Sequence, residues 1–457
     1  MSNNNGGFGF NFGRNDDDDK DRDKNRDQNS PFGFLFGMGG NNGAGDMNNL
    51  FGGEFHDVVS QFGDMIFGGK KFSMETAKEM ALQAINPMDD KLPNDADTMV
   101  RDAAYVSELW LNDATIFEAT GGQPTAITAR DYVEQLQEQW GRMATNVWEG
   151  SKDAKLQNMP EMPEVPGMPQ MTAANVQIGG FASMAFTTQF AQAWATFAST
   201  TLSVSDYGLP FATPDRTVVL PVNFDRIRTG TKVPRDHGMV YLYSREAAIQ
   251  RLFAAAPWLE DALATAWKET MSNLYIDGSG IRDAVMNIMD SGDNPMAGAA
   301  GAFEVPLEMV FYPVNAEAAA RLMHLLTLVD TWVDRVVHNA LADKVPGLEE
   351  IEGAWGRRAA SGGNLPHVIK SIFNVILPEP NTEGVEQLWE RIEGAVGTER
   401  RDHLWDHPEF LPSIDDVAMS APFIDSLLDD SSFDPIAEIN KLFEQGDTGH
   451  NEDEEEN

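Results

Sequence analysis

In Ser244-Arg245-Glu246-Ala247-Ala248-Ile249-Gln250 an acid sits one residue after Arg245 and three before Ile249. On a helix, positions i and i+4 lie one turn apart on the same face. This is the frame of the zinc-hydrolase motif H-E-x-x-H, where two imidazoles hold the metal and the glutamate activates its bound water. Glu246 keeps the place of the base, while Arg245 and Ile249 stand at the two ligand positions. A guanidinium does not give up its proton, and a sec-butyl group has no lone pair to donate. The segment thus has a hydrolase's spacing without its metal-binding groups.

Other clusters offer weaker chemistry. His324, Asp330, Asp334 and His338 form an alternative metal set, with Asp334 and His338 one turn apart. It would need a further ligand from elsewhere in the chain. His403 and His407 share the same spacing, but Pro408 ends a helix there and leaves His407 a helix-terminal hydrogen bond. His237 lies too far from Glu246 to replace Arg245. No G-x-S-x-G elbow and no phosphate-binding glycine loop with a following lysine occurs, and Gly278-Ser279-Gly280 is a turn signal.

These residues need helices to position them. Stepping by roughly 100° per residue, Leu242, Ile249, Leu252, Phe253 and Ala256 share one arc. Arg245 and Glu246 fall inside or at the edge of that arc. Either they snorkel from its rim, or they are buried in pairs or for function. Leu322, Leu326, Val329, Val333, Val336 and Ala340 form a second stripe with Asp330 at its edge, as a rim carboxylate or an acid that points inward. Arg245 and Asp330 would suit one another, because an arginine fork matches a carboxylate.

The rest of the chain divides by composition. Residues 1–70 are rich in Phe, Gly, Asn and Asp without period and are expected to be disordered. Residues 71–150 form a helical region opened by a cap at Ser73, and 151–171 a Met/Pro-rich linker. Residues 172–430 form one mostly helical domain with a short extended piece at Val218–Val222, and 431–457 an acidic tail. Residues 165–205 carry no Asp, Glu, Lys or Arg. Their many Ala, Thr and Ser suit buried small-residue helices, with a membrane hairpin as the alternative. The fold class expected is mainly α, α+β at most.

Bulk properties narrow the function. The 457 residues carry a net charge of −39, which repels phosphate backbones and anionic lipid, so neither nucleic acid nor membrane is expected as a partner. The chain has no cysteine, which removes disulfides, thiolate zinc sites and cysteine nucleophiles. With no signal-peptide core at its start, the expected location is cytoplasmic.

Four blocks in order then resemble a known family: Ala104–Ala114, the 244–259 helix, Val329–Asp334 and Asp402–Pro412. The chain resembles an actinobacterial family of zincin-like hydrolases, often labelled zinc-dependent metalloproteases and related to a group linked with deazaflavin-cofactor biosynthesis. The resemblance implies a zincin-like core in which the metal helix and a later acidic ligand converge. It places the first ligand on Arg245, the general base on Glu246, the second ligand on Ile249 and the third on Asp330. The implied protein is a catalytically decayed member acting as a binding or scaffold protein, with a peptide or protein as partner and no cofactor. The alternative is an active metal-dependent peptidase that keeps zinc, using Glu246 with ligands such as Asp330, Asp334 or His338.

Overall fold

The computed structural model describes residues 72–87, 90–152, 154–157, 181–211, 215–229, 231–277, 310–358 and 364–428. The segments read as a disordered start and an acidic tail, most of the Met/Pro-rich stretch and Gly278-Ser279-Gly280 lie outside them.

Local signals set the first elements. Helix α1 (Met74–Ala84) starts where the Ser73 hydroxyl accepts the Thr76 N–H, as its sequence predicts. Helix α2 spans Ala96–Leu111 and strand β1 Gln123–Ala126. A reciprocal capping box between Thr128 and Asp131 opens α3 (Ala129–Gln135), and α4 covers Gln137–Ser151. Strand β2 (Lys155–Gln157) occupies part of the stretch read as linker. Helix α5 (Phe181–Ala198) lies in the uncharged segment, and its Phe190, Ala191 and Trp194 are buried. No helix among the described residues is long and apolar enough to cross a membrane.

The second part brings the chemistry-bearing helices. Strand β3 (Arg216–Val219) is shorter than the extended piece read from sequence, because Pro221 starts α6 (Pro221–Arg228) at a position where its missing N–H costs nothing. Next come α7 (Arg235–Ala255), α8 (Trp258–Met271), β4 (Leu274–Asp277) and β5 (Phe311–Pro313). The long α9 (Ala316–Leu341) precedes α10 (Leu348–Arg358), α11 (Leu365–Phe373) and α12 (Thr382–Asp402). Helices α13 (Ile414–Ala418) and α14 (Ser420–Leu428) close the described chain.

The protein is mainly α, with two small sheets. In one, β1 and β3 pair in parallel, with Thr125 opposite Val218. In the other, β4 pairs in parallel with β2 and antiparallel with β5. The helices before and after residue 172 share one hydrophobic core. Close packing of α2 on α7 depends on small residues: the Ser244 hydroxyl donates to the Ser107 hydroxyl (2.9 Å), which donates to the Val240 carbonyl (3.2 Å). Helix α9 buries all six residues of its expected stripe.

Helix α7 departs from the amphipathic reading. Every residue from Tyr241 to Leu252 is buried, so the helix has no solvent face over that span. Neither Arg245 nor Glu246 snorkels, and each must find a partner inside the protein.

Candidate functional site: a guanidinium between two carboxylates

Arg245 leaves α7 toward α9 with only 4 % of the residue exposed. Its Nη2 donates to Asp330 Oδ1 at 2.7 Å, and its Nη1 forms a second ion pair with the Asp334 carboxylate. Asp330 and Asp334 are i and i+4 on α9, so both acids face α7 from one side of the helix. Both are 37 % exposed, toward the cleft beside them. On its other side the guanidinium lies over the Trp355 ring, 4.8 Å from the centroid, and 6.0 Å from that of Tyr241. Burial alone would depress the arginine's pKa. Tyr241 and the carboxylates of Asp330 and Asp206 more than reverse that, holding it above the usual value. The arginine is therefore a fixed buried cation.

Glu246 turns elsewhere. It is completely buried, with Oε2 accepting the Ser205 N–H and Oε1 accepting the Ser205 hydroxyl and Gln250 Nε2, each at 3.2 Å. Burial pushes its carboxyl up to about 7, against the downward pull of hydrogen bonds from Ser203, Gln250 and Ser205. Ile249 is packed in the apolar core. The frame read from the motif spacing is thus split. Arg245 and Asp330 meet, while Glu246 and Ile249 face the interior.

The remaining candidates do not gather into a metal set. His338 Nδ1 is 2.9 Å from Glu352 Oε1, and His324 Nε2 is 2.8 Å from the Pro412 carbonyl. Among the described residues no three His, Asp or Glu side chains are arranged to hold a metal ion. His403 pairs with Asp406. His407 accepts the Glu409 N–H, capping the short turn that follows it where the sequence suggested a bond at the preceding helix end.

The cleft beside the pair has a volume of about 730 Å³, within the range of ligand sites. Asp330 and Asp334 line one wall, and Tyr207, Trp355 and Arg358 another. Glu383, Glu386 and Glu390 of α12 face it as well. Burial and the repulsion of Asp330 and Glu383 raise the Glu386 pKa. Arg358 donates to both Asp206 oxygens (3.2 and 2.7 Å), and its guanidinium lies 4.6 Å from the Tyr207 ring centroid. Burial would raise the Asp206 pKa, but Arg358 and the Leu202 N–H hold it below the ordinary range.

The turn carrying these residues is unusual. Tyr207 has φ 66°, a left-handed conformation rare for a non-glycine residue, and Gly208 follows at φ 71°. A Cβ on Gly208 would lie 3.1 Å from Val329 Cγ1. Gly208→Ala should therefore lower stability by about 1–2 kcal/mol. Urea unfolding measures this, and an unchanged midpoint would contradict the reading.

Sequence reasoning missed several residues that build this region. Tyr241, Trp355 with Arg358, and Asp206 with Tyr207 come from three elements far apart in sequence, and no short-range pattern joins them. Arg251, also on α7, is almost wholly buried and donates to Asn112 Oδ1 (2.9 Å) and the Phe117 carbonyl (3.1 Å). Asp402 accepts from Thr115, Trp332 and Arg401, tying α12 to α9 and to the loop after α2. These contacts draw on all four blocks on which the sequence resemblance rests.

Comparison with known proteins fits this geometry. No curated protein matches the chain. The chain is similar to a solved structure from Chloroflexus aurantiacus described as a "putative hydrolase with a novel fold". The TM-score is 0.54 at 13 % identity, over 79 % of this chain and 100 % of the other, a likeness of fold. The model of one family, described as zincin-like metallopeptidase, matches residues 73–424, nearly all of the described chain. Helix α7, with its zinc-motif spacing, and helix α9, with its acids, fall within that match, and the chain belongs to the zincin-like metallopeptidase family.

Proposed function

We propose that this protein has exchanged metal-dependent hydrolysis for binding: the Arg245 guanidinium stands in for the lost cation, and the cleft beside it takes a peptide or protein segment. One observation carries the reading. The residue at the first ligand position is a buried arginine already committed to Asp330 and Asp334. Zinc, which the family name implies, does not fit these residues. Arginine and isoleucine offer it no electron pair, and the carboxylate at the third position is held by the arginine. The surplus of acids around the cleft favours a segment bearing Lys or Arg. A cysteine-free chain suits a reducing, cytoplasmic setting.

A second reading, an active hydrolase with unconventional ligands, is favoured by the carboxyl of Glu246, held at about 7 where a general base works best. Against it stands the complete burial of that carboxylate among Ser205 and Gln250. Elemental analysis of the purified full chain after zinc loading and dialysis, together with a peptide-library cleavage assay, separates the two. The proposal expects zinc far below one per chain and no cleavage. Stoichiometric zinc with cleavage abolished by Glu246→Gln would overturn it.

A further inference from the structure

Helix α10 borders the cleft, and its two halves are held by different chemistry. Leu348 and Ile351, near its start, are buried in the common core beside Val345. The half beyond them is held by polar and aromatic contacts. Glu352 meets His338 at 2.9 Å. Trp355 covers the Arg245 guanidinium and stands edge-on to Tyr241, with ring centroids 5.5 Å apart. Arg358 reaches across to Asp206. This half also contains Gly353 and Gly356. Glycine inside a helix weakens it, because the unfolded chain gains so much freedom there. Trp355 is the main apolar anchor of this half and packs against the core only in part, and with two glycines beside it the segment opens locally at lower cost than the fully buried helix beneath it.

We propose that residues 352–358 are a cover over the Arg245 end of the cleft, lifting as a unit while Leu348 and Ile351 stay seated. Lifting Trp355 and Arg358 bares the guanidinium, the ring of Tyr241 and the Asp206–Tyr207 turn, and widens the cleft for a ligand. The inference is independent of whether a metal binds, since it concerns α10 alone.

Amide hydrogen exchange on the full chain tests it. Residues 352–358 should be at least about 100-fold less protected than Tyr241–Leu252, because their opening is local. The double variant Gly353→Ala/Gly356→Ala should slow exchange of the cover about twentyfold by restoring helix propensity, leaving Tyr241–Leu252 unchanged. Both sites have room. A Cβ at Gly356 meets nothing within 4 Å, and one at Gly353 meets only the flexible end of Arg357 at 3.3 Å. Equal protection of the two segments in the native chain would overturn the proposal. So would a double variant that leaves the cover's exchange unchanged or slows both segments alike.

Discussion

Asp330→Asn together with Asp334→Asn should destabilise the protein by about 3–5 kcal/mol, the cost of stranding a buried charge without its partners. The two changes leave the Arg245 guanidinium in place, 4 % exposed, with no ionised acid in contact. Adding Arg245→Met should return most of the loss. The triple variant removes the unpaired cation and keeps a flexible side chain of similar length beneath Trp355. Arg245→Ala alone should be more damaging than Arg245→Met with Asp330→Asn, because it opens a void and leaves two carboxylates facing one another one turn apart. Urea unfolding of the four variants beside the native chain reads these differences. If the double asparagine variant is no less stable than the triple one, the guanidinium does not depend on these acids.

The second large effect is a pH dependence carried by Glu246. Its carboxyl rises from an ordinary 4.5 to about 7 on folding. Between those values the native state binds the proton more tightly than the unfolded chain. The stability linked to that proton is fully present below about pH 4.5, lost as the pH rises to about 7, and constant above. A shift of that size corresponds to roughly 3 kcal/mol at 1.36 kcal/mol per unit. Glu246→Gln keeps the shape and removes the titration. The native chain should therefore lose about 3 kcal/mol relative to this variant between pH 4.5 and 7. Other titrating groups are common to both proteins and cancel in the difference. Parallel stability curves would show that the carboxylate is ionised without penalty.

Much of this architecture is written locally, and the site only in part. The Ser73 cap, the stripe of α9 and the mainly helical character follow from short-range pattern. The Arg245–Asp330 pair could be anticipated because both acid and base lay on or beside buried arcs, where an unpaired charge is costly. What failed depended on neighbours distant in sequence. Helix α7 read as one-sided, yet α2, α9 and β3 pack against it, so its rotation could not be inferred from its own residues. The direction of Glu246 is set by Ser205, just before the left-handed Tyr207–Gly208 turn. Asp334 entered the sequence reading only as a member of the weaker metal set, and its pairing with Arg245 depends on the approach of α7 to α9. Strands β1 and β3 are four residues each and gain their order from pairing Gln123 with Arg216, which no local period announces.

A zinc titration of the native chain by calorimetry at neutral pH bears most directly on the claim that a guanidinium occupies the place of the metal. The expected result is no saturable heat up to millimolar zinc. A one-to-one isotherm of micromolar or tighter affinity, weakened by Asp330→Asn, would show that the cation site persists and that Arg245 moves aside to serve it.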